Sequence, residues 1–297
     1  MAKKIIVGIG EILWDIFGRQ KHLGGATANF AFHASELGDR GVLVSRIGRD
    51  RLGQEIAELM KTLELPTDFL QVDSRLPTGR VIVKVDKAGQ PTFDIVRDVA
   101  YDNLRAGARL MRLAARADAV CYGTLGQRSA VSRSTIRKFL AAAKKAVLVC
   151  DLNLRSELLQ LGPGDAEGLG LAARSIAMAD VLKLNDDEVR IIRGAFARPE
   201  KGDVFLRWLL REFKLRMVCV TLGAKGCVLR TARMRVTSPG VKVKVADTVG
   251  SGDAFTAAMV NGLLRRRPLQ ATADFANRIG AYVASRPGAT PRLGEFR

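Results

Sequence analysis

Histidine occurs only twice, at His22 and His33, and the four cysteines, Cys121, Cys150, Cys219 and Cys227, form no C-x-x-C pair. The first scarcity argues against a histidine-based metal centre, the second against a zinc site or a disulfide framework. The cysteines fall in apolar, strand-like runs (ADAVCYG, AVLVCDL, RMVCVTLG, GCVLR) and read as buried, reduced thiols. Aromatic residues make up 6% of the chain and do not interleave with its basic clusters, so no base-stacking surface is indicated. No apolar run approaches the length of a membrane span. The apolar stretch after Lys3 and Lys4 is short and runs straight into Glu11 and Asp15. It reads as a first strand and not as a signal peptide, so a soluble, cytoplasmic protein is expected. The pattern G-x-x-x-x-G-K-[ST] is missing, which excludes a P-loop enzyme. Gly8 and Gly10 are followed by Leu13 where a dinucleotide fingerprint needs a small residue, which argues against an NAD site.

Negative charge is also in short supply: 30 Asp and Glu stand against 48 Lys and Arg, a net +18 at pH 7. Nucleic-acid binding, steering of anionic substrates and a surface bias without local meaning all fit that number. Arg105, Arg109, Arg112 and Arg116 recur at helical spacing and line one face, as in a solvated amphipathic helix. That surface reading is preferred to nucleic-acid binding.

With 47% hydrophobic residues, the 297-residue chain has enough apolar surface for one large core. Continuous apolar runs (KKIIVGIG, GVLVSRIG, ADAVCYG, AVLVCDLN, ADVLKLN, RMVCVTL) alternate with helical patterns at 26–37, 52–63, 132–143, 204–212, 253–265 and 271–285. This alternation predicts a three-layer α/β/α fold around a mostly parallel sheet. TGRVIVKVDKAGQPTFDIV breaks the rhythm: alternating valines, a turn at 86–91 and a second run predict a β-hairpin. Joined to 11–17 it would make a small β lid; by pattern alone it fits an edge hairpin of the main sheet nearly as well. The expected division is 1–9, 18–74 and 99–297 as the core, with 10–17 and 75–98 as the lid.

The strongest chemical signal is VADTVGSGDAFTAAMVNGLL. Gly250, Ser251 and Gly252 form a small-residue turn, and a long helix starts near Asp253. Backbone N–H groups at a helix start, with the dipole behind them, make an anion site. A carboxylate there makes sense as the acceptor of a proton from a hydroxyl beside a phosphate; otherwise it is an N-cap. Upstream, Gly24 and Gly25 precede a helix carrying Asn29, whose amide both donates and accepts, as polyhydroxyl recognition requires. A glycine turn with a helix-packing Asn fits that stretch equally well.

Taken together, Gly24-Gly25-x-x-x-Asn29, Asn185-x-x-Glu188 and Asp247-Thr248-x-Gly250-x-Gly252-Asp253 resemble the ribokinase-like (PfkB) carbohydrate kinase family, from Val7 to about Pro291. FDIVRDVAYD, GTLGQRS, DLNLR and ANRIGAYVASRPGATP look most like bacterial fructokinases. The resemblance implies an ATP-dependent sugar kinase, with fructose as the favoured acceptor. Asp253 then resembles the catalytic base, and Gly250, Ser251 and Gly252 the anion hole, with Ser251 where the family usually has Ala. Asp15, Gly24, Gly25 and Asn29 resemble sugar-binding residues, and Arg155 a phosphate contact or else a surface arginine. Thr221, Gly223 and Gly226 resemble the nucleotide loop and Asn277 an adenine-side contact. Asn185 and Glu188 resemble the pair that organises Mg²⁺, Glu188 through water. Asp247, with the backbone at Val249 and Gly288, resembles a monovalent-cation loop, which implies K⁺. Other ketoses, 2-keto sugar acids, nucleosides and sugar phosphates are the alternative acceptors. A catalytically silent homologue binding nucleic acid or protein through its basic surface is the rival from another class; Asp253, Asn185 and Glu188 argue against it. The exposed edge implied by the hairpin permits a homodimer through lid strands.

Overall fold

The computed structural model describes residues 2–18, 20–85, 91–154 and 166–296. The first third of the chain forms β1 (Ile5–Ile9), β2 (Leu13–Phe17), β3 (Gln20–Gly24), α1 (Ala26–Glu36), β4 (Arg40–Gly48), α2 (Arg51–Thr62), β5 (Leu70–Asp73), β6 (Gly79–Val85) and β7 (Pro91–Ile95). The middle forms α3 (Ala108–Arg116), β8 (Ala119–Tyr122), α4 (Ala130–Ala142), β9 (Val147–Asp151), α5 (Ala166–Ala177), β10 (Val181–Asn185), α6 (Asp186–Ala195) and α7 (Gly202–Glu212). Then come β11 (Met217–Thr221), β12 (Cys227–Thr231), β13 (Arg235–Ser238), α8 (Ser251–Leu264) and α9 (Leu269–Ala284).

Nine strands make the main sheet in the order β13-β12-β11-β10-β9-β8-β1-β4-β5. From β11 to β5 every neighbouring pair is parallel, and β12 and β13 finish that edge antiparallel. The α/β/α expectation therefore holds, because strands that are apolar on both faces must be covered on both. Val7, Val120, Leu182 and Val218 face a layer that includes Leu113 of α3, Phe139 of α4, Ile176 of α5 and Phe205 of α7. Ile6, Val149, Val181 and Cys219 face Phe30 of α1, Ala257 of α8 and Ile279 of α9. All four cysteines are free and buried in these layers.

Helix α1 lies unusually close to the sheet. A methyl on Gly8 of β1 would come within 2.2 Å of the Thr27 carbonyl oxygen, and one on Gly41 of β4 within 1.9 Å of that of Ala31. Helix α8 is largely apolar and is buried from Ala254 to Gly262, as expected of a helix packed on several sides.

The hairpin belongs to a separate four-stranded sheet, ordered β3-β2-β6-β7, which forms the lid. Strand β2 runs parallel to β6 and antiparallel to β3. The polar segment Gln20–Gly24 (QKHLG), expected in the core, belongs to the lid sheet, because pairing with β2 makes it a strand. Val81, Ile95 and Leu13 pack against Tyr101 and Leu125 beneath it. Of the turn predicted at 86–91, residues 86–90 lie outside the described residues and Pro91 opens β7. One detail of the arginine face needs correction: Arg109, Arg112 and Arg116 are on α3, but Arg105 precedes it, because the helix is entered at Gly107.

The end of α1 and the end of α8 are joined by one carboxylate. Asp39, whose side chain is fully buried, accepts from two Arg265 nitrogens at 2.9 Å and from Asn261 at 2.9 Å. Removing one partner of a buried ion pair strands the other. Asp39→Ala is expected to lower stability by about 3 kcal/mol, measured as a shift in the urea midpoint at constant slope.

Candidate active site

Two cavities open at the carboxyl ends of the parallel strands. The first, of about 480 Å³, is bordered by Asp15 of β2, Gly25, Asn29 of α1, Asn153, Lys183 of β10 and Asp253 of α8. The second, of about 620 Å³, is bordered by Asn185, Thr221, Gly223, Gly226, Ser251 and Asn277. Thr248 and Gly252 border both. The residues predicted for one ligand and those predicted for another thus line adjoining spaces that meet at the start of α8.

That start is built by glycine. Gly250 has φ 76, in the left-handed region, and a methyl there would lie 2.4 Å from the Ala289 carbonyl oxygen. Only glycine meets both demands without strain. The helix begins two residues earlier than expected, at Ser251, whose hydroxyl and backbone N–H both donate to the Thr248 carbonyl. The Ser251 hydroxyl therefore braces the turn. The first amides of a helix have no intrahelical acceptor, and here they stand at the junction of the cavities. Asp247 ties the neighbouring segments together: its carboxylate accepts from the N–H of Val249 at 3.0 Å and of Gly288 at 3.2 Å. The three residues predicted for a monovalent cation are thereby brought together.

Asn29 and Asp253 meet directly. Asn29 Nδ2 donates to Asp253 Oδ2 at 2.8 Å. Asn29 borders the first cavity and is 3% exposed, and its Oδ1 is buried without a hydrogen-bond partner. Gly25 opens α1 with φ 109 and lies so close to Glu11 that a methyl would sit 2.6 Å from its carbonyl oxygen. The Glu11 carboxylate in turn accepts from the first N–H of α1, at Ala26. Gly24 is behind Asp15: a methyl on it would approach Asp15 Oδ2 to 2.2 Å. One turn beyond Asn29, buried His33 donates from Nε2 to the Ala289 carbonyl at 2.9 Å. Burial pushes His33 down from 6.5 to about 4, against the upward pull of that carbonyl and of Glu36.

Asn185 and Glu188 form a reciprocal cap on α6. Asn185 Oδ1 accepts from the Glu188 N–H, and Glu188 Oε2 from the Asn185 N–H, each at 2.8 Å. Glu188 Oε1 accepts from Leu154 at 2.7 Å, so this buried carboxylate also fixes the end of the Asp151–Leu154 segment. Burial raises Glu188 above the usual carboxylate range, against the pull of Lys183. Among the described residues no three acidic, histidine or cysteine side chains cluster as a metal cage. A carboxylate whose oxygens already hold two amides suits an outer-shell role, and Mg²⁺ usually keeps several waters. Asn277 donates to the carbonyls of Ser238 and Pro239, so it shapes the wall of the second cavity. Arg155 lies outside the described residues.

The sequence reading did not nominate Lys183, Asp151, Asn153 or Glu11 as site residues. Lys183 and Asp151 are register partners on adjacent strands, joined at 3.0 Å, and both are buried. The signal was present in VLKLN and VCDLN: a charge near the end of a strand otherwise apolar on both faces.

Comparison with known proteins bears on these cavities. The family model described as pfkB family carbohydrate kinase matches residues 10–293. A Pyrococcus horikoshii protein described as an uncharacterized sugar kinase is 30% identical over 98% of this chain and 94% of its own length. Its crystal structure superposes with a TM-score of 0.84 over 98% of this chain and 96% of that one, and a second structure of it is a complex with ATP. Fructokinase-2 of Zea mays is 29% identical over 97% of this chain and 91% of its own length. A double-mutant fructokinase of Vibrio cholerae, solved with fructose, ADP and potassium ion, superposes with a TM-score of 0.82 over 99% of this chain and 97% of that one. At 22% identity that last likeness is one of fold.

His33 gives this region a pH signature. Its pKa in the folded chain, about 4, lies below its ordinary 6.5, so its contribution to stability is complete above pH 6.5 and is lost as pH falls towards 4. The loss amounts to about 3 kcal/mol. The stability difference between the wild type and His33→Asn, followed by urea unfolding from pH 7 to 4, should shrink over that window.

Proposed function

Because the chain belongs to the pfkB family of carbohydrate kinases, we propose that it transfers the γ-phosphate of ATP to a hydroxyl of fructose, with Asp253 as the general base. The observation that carries the proposal is the place of the Asp253 carboxylate. It stands on the wall of the first cavity, held by Asn29, one residue from the Gly252 backbone at which the second cavity begins.

In this reading the sugar occupies the first cavity, hydrogen-bonded to Asp15 and Asn29, and the nucleotide occupies the second. Asp253 takes the proton of the attacking hydroxyl, while the amides at the start of α8 receive the transferring group's charge. The lid sheet, which contributes Leu13, Asp15, Phe17, Val81 and Ile95 to the first cavity, keeps water from competing as acceptor. Mg²⁺, organised through Asn185 and Glu188, would neutralise phosphate charge when bound. K⁺ would sit against the loop that Asp247 ties to Val249 and Gly288.

Fructose is favoured by the named relatives and by the charge of the cavity. Glu11, Asp15 and Asp253 place three carboxylates on its wall. Such a wall opposes sugar acids and sugar phosphates by like-charge repulsion and suits a neutral polyol, whose hydroxyls donate to carboxylates.

The test is ADP release with ATP and Mg²⁺ over a panel of neutral sugars, sugar acids, sugar phosphates and nucleosides, with and without K⁺. Fructose should give the highest kcat/KM, and a sugar acid or sugar phosphate ranking first would reverse the assignment. Asp253→Asn should lower kcat by about 10²–10⁴-fold with unfolding unchanged; near-normal turnover would remove Asp253 as the base.

A further inference from the structure

We propose that Lys183 is a catalytic residue of the same reaction, its ammonium contacting the phosphoryl group in transit where the two cavities meet. The inference rests on the kinase reading and adds a residue to it.

Lys183 shares a sheet face with Val181, and its register partners are Cys219 on β11 and Asp151 on β9. It is 7% exposed. A buried ammonium is costly unless paired, and Asp151 provides the pair at 3.0 Å. Burial alone would push the Lys183 ammonium towards neutrality, but Asp151 and Glu188 outweigh it and hold its pKa above the ordinary lysine value. Lys183 is thus a permanent cation.

Its direction distinguishes it from a purely structural ion pair. Asp151 is held from its other side: the Thr256 hydroxyl of α8 lies 3.0 Å from Asp151 Oδ2 and 2.8 Å from the Gly252 carbonyl oxygen. The carboxylate is thereby tied to α8 at Thr256, and it holds the ammonium beside Gly252. A methyl built on Gly252 would come within 3.3 Å of Nζ. The ammonium has three N–H donors, and among the described residues Asp151 is its hydrogen-bond acceptor. Lys183 also borders the first cavity, together with Gly252 and Asp253, and is the cation on that wall among the described residues. A point charge next to backbone amides at a helix start is how enzymes receive charge developing on a transferring phosphoryl group.

The step balances without a redox partner. The sugar oxygen forms a bond to the γ-phosphorus, the bond from that phosphorus to the β–γ bridging oxygen breaks, the hydroxyl proton passes to Asp253, and ADP leaves. Lys183 donates to a non-bridging oxygen throughout and keeps its own proton.

The experiment compares wild type, Lys183→Gln and the double variant Asp151→Asn with Lys183→Gln. The double variant removes both charges at nearly constant volume, so no carboxylate is left buried alone. Turnover is measured with fructose, and ADP affinity is measured with fructose present, with and without aluminium fluoride as a mimic of the phosphoryl group in transit. Wild type should bind ADP more tightly with the fluoride complex. Both variants should lose about 10²–10³-fold in kcat and lose that tightening, while KM for fructose and plain ADP affinity change little. Recovery of turnover in the double variant, or tightening that survives in either variant, would reduce Lys183 to a structural partner of Asp151. Wild type that releases no ADP with any sugar would overturn the kinase reading itself and this proposal with it.

Discussion

A single 2.8 Å hydrogen bond, from Asn29 to Asp253, closes a gap of 224 residues and joins the starts of two helices. Much of the core serves to make that meeting geometrically possible. Helix α1 is drawn onto the sheet where Gly8 and Gly41 leave no side chain in the way. Helix α8 has no polar face to keep wet, so it can run inward and leave its amino end at the strands' carboxyl edge. His33, one turn behind Asn29, grips the Ala289 carbonyl that crowds Gly250, so both helix starts are referred to the same short stretch of chain. Ligands of open α/β sheets bind beyond the carboxyl ends of the strands, and here two helix dipoles converge there.

What was legible in the sequence was local. Apolar runs announced the parallel strands, alternation announced the β6–β7 hairpin, and Gly250 to Asp253 announced a helix start with a carboxylate. These features depend on residues close in the chain. What escaped depends on partners far apart. β3 is polar and becomes a strand only because β2 offers it an edge. The antiparallel pair β12 and β13 caps a sheet whose other rules are parallel. Lys183 reads as a lone charge in an apolar run until the fold sets Asp151 opposite it, 32 residues away. Asn153 borders the first cavity from a left-handed backbone position, φ 42, which an asparagine tolerates but does not advertise.

The net +18 of the chain and the acidic wall of the first cavity are separate matters. The arginines of α3 are exposed, and Arg109 pairs with Asp68 across the surface. Such pairs are worth little in water, whereas charges behind the cavity are dry and act at short range. One sign prevails outside and the other on much of the inner wall. The outer excess raises encounter rates with polyanions, and the inner wall selects among what arrives.

The four free thiols have a use that catalysis does not require. Cys121, Cys150, Cys219 and Cys227 sit on β8, β9, β11 and β12, deep in the two core layers, and burial raises the pKa of each above the ordinary thiol value. Alkylating reagents attack thiolates that solvent can reach, so modification of any of them must wait for the sheet to open. The protein therefore carries its own stopwatch: the pace at which iodoacetamide consumes these sulfurs reports how often the strands that bear them part, with no residue exchanged.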